Sequence, residues 1–111
     1  MNTEKMLQIV ATDCKPEDEE KFNKWYNEIH IPLLLKYPGM VKATRYKLHG
    51  ESPGQAKYLA IYEFKDSQAI DDFQQSNELA DAITETNETW KEQMFDMQWV
   101  AMYEPVKIWE K

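Results

Sequence analysis

Two stretches of this chain alternate from side to side, with the turn-forming run Gly50-Glu51-Ser52-Pro53-Gly54 between them. In the first, Met40, Lys42, Thr44, Tyr46 and Leu48 fall on one side and Val41, Ala43, Arg45, Lys47 and His49 on the other. In the second, Tyr58, Ala60, Tyr62 and Phe64 oppose Leu59 and Ile61. A period of two is the repeat of a β-strand, and glycine and proline between two such runs make a hairpin. An isolated hairpin is marginal in water, so these strands must pack on other elements.

The flanking sequence supplies those elements. Met6 to Thr12 is a short apolar run that predicts a strand. Pro16 followed by Glu17, Asp18, Glu19 and Glu20 reads as a helix start, since proline suits the first helical position and acids favour the first turn. Phe22, Trp25, Tyr26, Ile29 and Leu33 then form a buried stripe at helical spacing, predicting a helix from about Glu17 to Tyr37 that is broken near Pro32. Pro38-Gly39 ends it.

Asp66 or Ser67 can cap a second helix, with Ala69, Ile70, Phe73, Ala80, Ile83 and Trp90 as its stripe. Ser76-Asn77 offers a second cap that would divide it in two. Phe95, Met97, Trp99, Ala101 and Tyr103 alternate as a fourth strand, and beyond Pro105 the tail Val106-Lys107-Ile108-Trp109 can add a short strand. The order is β-α-β-β-α-β: an α+β, ferredoxin-like fold with an antiparallel sheet, in one domain spanning residues 1–111.

In that topology both helices cover one sheet face and leave the other open. Large apolar groups occur on both faces of the strands. A contiguous apolar patch in water marks an interface, which predicts a two-fold homodimer through the sheet faces, with the C-terminal tail reaching toward the partner. Fourteen aromatic residues (four Trp, six Tyr, four Phe) exceed what a minimal core requires and suggest a cavity or a partner surface.

Charge removes several function classes. The formal net charge is −7, and Arg45 is the single arginine. No basic stripe exists, so nucleic acid or an anionic membrane would be bound against repulsion. No segment has the roughly 20 apolar residues of a membrane span, and no signal-peptide run follows Met1. Cys14 is the only cysteine, so no internal disulfide forms. A cytoplasmic protein is expected. Cys14 and the two histidines lack metal-ligand spacing, so no metal site is expected.

The candidate chemistry gathers around His30. Proline lacks an N–H and biases the residue before it away from the helical region, so Ile31-Pro32 should interrupt the helix beside the histidine. An imidazole titrating near pH 6.5 at such a break is suited to proton transfer or ligand hydrogen bonding. An ordinary boundary histidine bonded to a nearby carbonyl fits the same residues. Tyr26, four residues earlier, can orient the imidazole or bind a substrate oxygen, or it is a core residue with its hydroxyl satisfied at the edge.

Trp25 is packing or a pocket wall. Arg45 suits an acidic substrate, a structural ion pair or an acid across a dimer, and the ion pair is favoured. Tyr62 and Trp99 face either a cavity or a dimer interface, which parity alone leaves open. His49, at a strand end, is expected to be exposed.

The run Phe22-x-x-Trp25-Tyr26-x-x-x-His30-Ile31-Pro32-Leu33, then Pro38-Gly39, then Arg45-Tyr46, resembles the EthD-like branch of the dimeric α/β barrel superfamily. The resemblance implies a cavity between sheet and helices and a small cofactor-independent enzyme: an isomerase, cyclase, dehydratase or monooxygenase. Its substrate would be a small hydrophobic, oxygenated molecule. The histidine that resembles a general acid/base in lactone-isomerising relatives corresponds to His30. The resemblance carries over His30 alone; with the residue-level reading, catalysis is expected from His30 and Tyr26, with Trp25, Arg45, Tyr62 and Trp99 binding substrate. The alternative is a non-catalytic ligand-binding barrel. Haem-degrading relatives use a histidine on the second helix, and residues 65–95 have none.

Overall fold

The computed structural model describes residues 5–91 and 95–111. Strands β1 (Met6–Cys14), β2 (Met40–Lys47), β3 (Tyr58–Phe64) and β4 (Phe95–Tyr103) form an antiparallel sheet in the order β2-β3-β1-β4. In the central pair Gln8 lies opposite Tyr62 and Val10 opposite Ala60. Helices α1 (Glu19–Trp25), α2 (Ile31–Leu34), α3 (Ser67–Phe73) and α4 (Asn77–Thr89) complete the α+β, ferredoxin-like arrangement. None of the described helices is long and apolar enough to cross a membrane.

Strand β3 shows the two-faced pattern most clearly: Tyr58, Ala60, Tyr62 and Phe64 are buried, while the residues between them are half-buried. Phe22 from α1 and Ile70 and Phe73 from α3 join them in one core. Phe22 meets Tyr26 edge-on at 5.4 Å, and Phe64 lies 5.0 Å from Phe73. Each of these fully buried rings stabilises the fold by roughly 1.5–3 kcal/mol. The second helical segment is two helices, as Ser76-Asn77 allowed. Asp66 accepts from the Ala69 N–H at 2.8 Å and Ser76 from the Leu79 N–H at 3.1 Å, so each piece has its own cap.

Three features depart from the sequence reading. The first is the helix around Pro32, which does not break. Ile31 is helical, at φ −63° and ψ −43°, and residues 19–34 run on through a π turn at Tyr26–His30. The Ile31 N–H bonds to the Tyr26 carbonyl five residues back. Pro32 cannot complete an α-helical bond, and opening one turn makes room for its ring.

The extra residue advances the buried face by one position. Ile29 is 42% exposed, and His30 takes the inward place expected for it. Leu34, at 3% exposure, likewise takes the place expected for Leu33, which is only half-buried.

The second departure is a pair of β-bulges. In β4 Ala11 faces Trp99 but Thr12 faces Met97, so Gln98 is an extra residue. Phe95 and Met97 therefore do not share a face with Trp99: they face the helices, and Trp99 lies on the open side. In β2 the register shifts between Met40 and Lys42, turning Met40 inward and breaking its expected alternation with Lys42 and Thr44.

The third is the tail. Val106-Lys107-Ile108-Trp109 forms no strand within the chain, and Val106 and Trp109 are 97% and 77% exposed. On the open face of the sheet lie Leu59 and Ile61, with Tyr46, Trp99 and Tyr103 largely exposed.

Candidate functional site

Between the helices and the covered sheet face lies a cavity of about 310 Å3. Val10, Thr12, Tyr62, Met97 and Val100 form its floor, and Trp25, Tyr26, His30, Leu34, Ile83 and Thr86 its walls. That volume suits a small molecule, and a mainly apolar wall with a few convergent polar groups is the usual make-up of a ligand site.

The π turn brings His30 into this chamber. Opening the turn places the residue five along above its predecessor, so the imidazole stacks on Trp25 at 4.7 Å with 23° between planes. Tyr26 meets it edge-on at 5.0 Å. Burial holds the imidazole in its neutral form: desolvation lowers its pKa from 6.5 to about 4, Glu85 opposes the shift and Arg45 adds to it.

Its tautomer follows from Thr86. The Thr86 hydroxyl donates to the Ala82 carbonyl at 2.7 Å, so only its lone pairs remain for His30 Nδ1, 3.5 Å away. A proton on Nδ1 fits this long contact and leaves Nε2 as the basic nitrogen.

The second polar element is a pair of phenols. Tyr26 and Tyr62, both buried, bring their hydroxyls to 3.2 Å. Burial raises both titrations, Tyr62 well above the ordinary value, while the Arg45 charge opposes the rise in each. Both phenols are therefore protonated at neutral pH. Two O–H groups share one hydrogen bond, so one donor remains for a ligand oxygen.

The remaining expected residues separate. Trp25 lines the cavity, while its indole N–H donates to Glu85 Oε1 at 2.9 Å. Arg45 lies outside the lining, its guanidinium 4.3 Å from the centre of the Tyr26 ring. Its favoured ion pair is corrected: among the described residues no carboxylate pairs with it, and Nη1 donates to Asn27 Oδ1 at 2.9 Å. The bulge puts Trp99 on the opposite sheet face, beside Leu59 and Ile61. His49 is exposed. Cys14 is half-buried, its thiol pushed up by burial and next by Glu19, away from a reactive thiolate.

The sequence reading missed Gln8, Thr12, Thr86 and Asn87, all of which border the cavity. Thr86 carried a signal: it continues Leu79 and Ile83 at helical spacing, a polar residue on an inward stripe. Gln8 carried another, as a polar residue in phase with Met6 and Val10.

A four-stranded antiparallel sheet, helices on one face and a cavity between them define a class of small α+β, ferredoxin-like proteins to which solved structures can be compared. An EthD (ethyl tert-butyl ether D) family protein from Bacillus halodurans is similar with a TM-score of 0.67 at 18% identity, over 91% of this chain and 99% of that one. SnoaB, a cofactor-independent oxygenase from Streptomyces nogalater, matches with a TM-score of 0.65 at 11% identity, over 97% and 99% of the two chains. A variant of MhuD with two manganese protoporphyrins IX bound per active site matches with a TM-score of 0.70 at 11% identity, over 96% and 99%. These likenesses show that the chain shares its fold with an EthD family protein, as the resemblance implied. No curated protein matches the chain. Residues 6–103 match the family described as a domain of unknown function, DUF4286, and the chain belongs to that family.

Proposed function

We propose that the protein binds a small, largely apolar, oxygenated molecule in the cavity and transfers a proton on it without a cofactor. His30 is the general acid/base, Tyr26 with Tyr62 holds the oxygen, and Trp25 forms a wall. One observation carries this reading: a neutral imidazole and an uncommitted phenolic O–H open onto the same apolar chamber. Neutral Nε2 accepts a proton from the carbon beside a carbonyl, and the electron pair moves onto an oxygen held by the tyrosine O–H. In a β,γ-unsaturated ketone, return of the proton to the γ-carbon of the resulting dienolate completes an isomerisation. General acid–base help contributes roughly 10²–10⁴ in rate, and positioning in the dry chamber supplies the rest.

The test uses 2-tetralone in D2O, with exchange of its α-protons followed by NMR. The wild-type protein should accelerate exchange, and His30→Ala should lower that acceleration by about 10²–10⁴ while the melting temperature stays within a few degrees. A folded His30→Ala protein with undiminished exchange would remove the residue from the mechanism. One observation favours a second reading, a non-catalytic ligand-binding barrel: a conjugate acid of about 4 makes His30 a weak base. Saturable binding of the ketone with no accelerated exchange would select it.

The open sheet face supports pairing of two copies into a dimeric barrel. Trp99 and Tyr103 are 43% and 51% exposed beside the half-buried Leu59 and Ile61, and the unpaired tail lies free to reach across. Sedimentation should report a dimer. A reducing, cytoplasmic setting suits the half-buried thiol of Cys14.

A further inference from the structure

We propose that Arg45 forms the floor of a second ligand site, which takes a small carboxylate on the far side of Tyr26 from the cavity. The guanidinium lies over three ring faces, at 4.3 Å from the centre of Tyr26, 5.0 Å from Tyr58 and 5.4 Å from Phe22. Aromatic faces attract a cation but do not accept its in-plane N–H bonds in the way an oxygen does. Nη1 is bonded to Asn27, while Nε and Nη2 are buried without a partner among the described residues. These two nitrogens border one edge of the planar group, the fork that holds both oxygens of a carboxylate. A buried donor left unbonded costs free energy, and more so on a charged group, so an acceptor here is favoured.

Among the described residues no carboxylate supplies that acceptor. Glu19 and Glu20 line the same cleft. Glu19 is committed to Lys57 at 2.8 Å, to Lys47 at 4.0 Å and to the Tyr58 hydroxyl.

Asn23 adds a complementary demand. Its amide nitrogen donates to the Tyr58 hydroxyl at 3.0 Å, while its Oδ1 is buried and unbonded. A carboxylate with a neighbouring hydroxyl or ammonium group would satisfy the fork and this acceptor together. Asn27 is exposed, so its amide can leave the guanidinium without disturbing the core and open the way in.

Because Arg45 is the only arginine, its Nε–H gives a single arginine signal in a ¹⁵N-edited NMR spectrum of the whole protein. Titration with sodium acetate should shift that signal saturably downfield. Lactate should saturate at lower concentration, and acetamide at the same concentrations should produce no shift. Followed instead through the side-chain amide signals of Asn23 and Asn27, Arg45→Lys should weaken acetate binding by at least about tenfold, because an ammonium cannot reproduce the two-point fork.

At constant ionic strength, an acetate response no larger than that of chloride would overturn the proposal, and this needs no variant. So would a signal that ignores acetate and moves on protein dilution, which would assign the acceptor to a second copy. The site does not depend on the cavity reading, whose own test uses a neutral ketone.

Discussion

A half-buried, neutral histidine makes the stability of this protein sensitive to mild acid, and its desolvation sets the sign. In the unfolded chain His30 takes up a proton near pH 6.5, whereas in the fold it does so only near pH 4. Between those values the unfolded state holds a proton that the folded state lacks. Stability therefore falls as pH drops from 6.5 to 4 and is indifferent to this group above and below that window. The whole loss is about 3 kcal/mol, a large share of what a domain this size has.

His30→Phe keeps a ring on Trp25 and removes the titration. Urea unfolding of both proteins at pH 7, 6, 5 and 4, followed by tryptophan fluorescence, measures the difference directly. Carboxylates such as Glu19, lowered by its bond to Lys57, titrate in both proteins and cancel. The variant should gain about 3 kcal/mol on the wild type between pH 7 and pH 4. Parallel curves would refute the burial of a neutral imidazole.

Two further outcomes follow from packing and hydrogen bonding. Replacing both phenols, Tyr26→Phe with Tyr62→Phe, removes the free donor, and affinity for 2-tetralone should fall by about 1 kcal/mol, roughly fivefold in Kd; unchanged affinity would mean the pair does not hold the oxygen. At Gly39 an added Cβ would come within 2.6 Å of Tyr37 Cε2 and 2.8 Å of Ala69 Cβ. Gly39→Ala should therefore destabilise by about 1–3 kcal/mol in thermal unfolding, and an unchanged Tm would contradict that close approach.

The sequence carried the order of elements because each one has a periodicity and an end signal of its own. The Gly50–Gly54 turn, the acids after Pro16 and the caps at Asp66 and Ser76 all act within a few residues. What it did not carry were the places where one residue is added to a regular repeat. The π turn before Pro32 moved His30 inward and Ile29 outward, and the bulge at Gln98 sent Met97 and Trp99 to opposite faces. Parity and helical angle both propagate such an insertion to every later residue, so an error of one position becomes an error of face. His30 was legible as a candidate, yet its burial came from a turn that the periodicity did not contain. The phenol pair and the unused edge of Arg45 arise from contacts between distant segments, which no local pattern records.

The most direct test of the cavity reading is a crystal structure of the protein with 2-tetralone. The ketone should lie between sheet and helices, with its oxygen about 3 Å from a phenol of the Tyr26–Tyr62 pair and its α-carbon beside His30. A ketone bound elsewhere, or a chamber closed by Ile83 and Met97 with His30 turned outward, would contradict it.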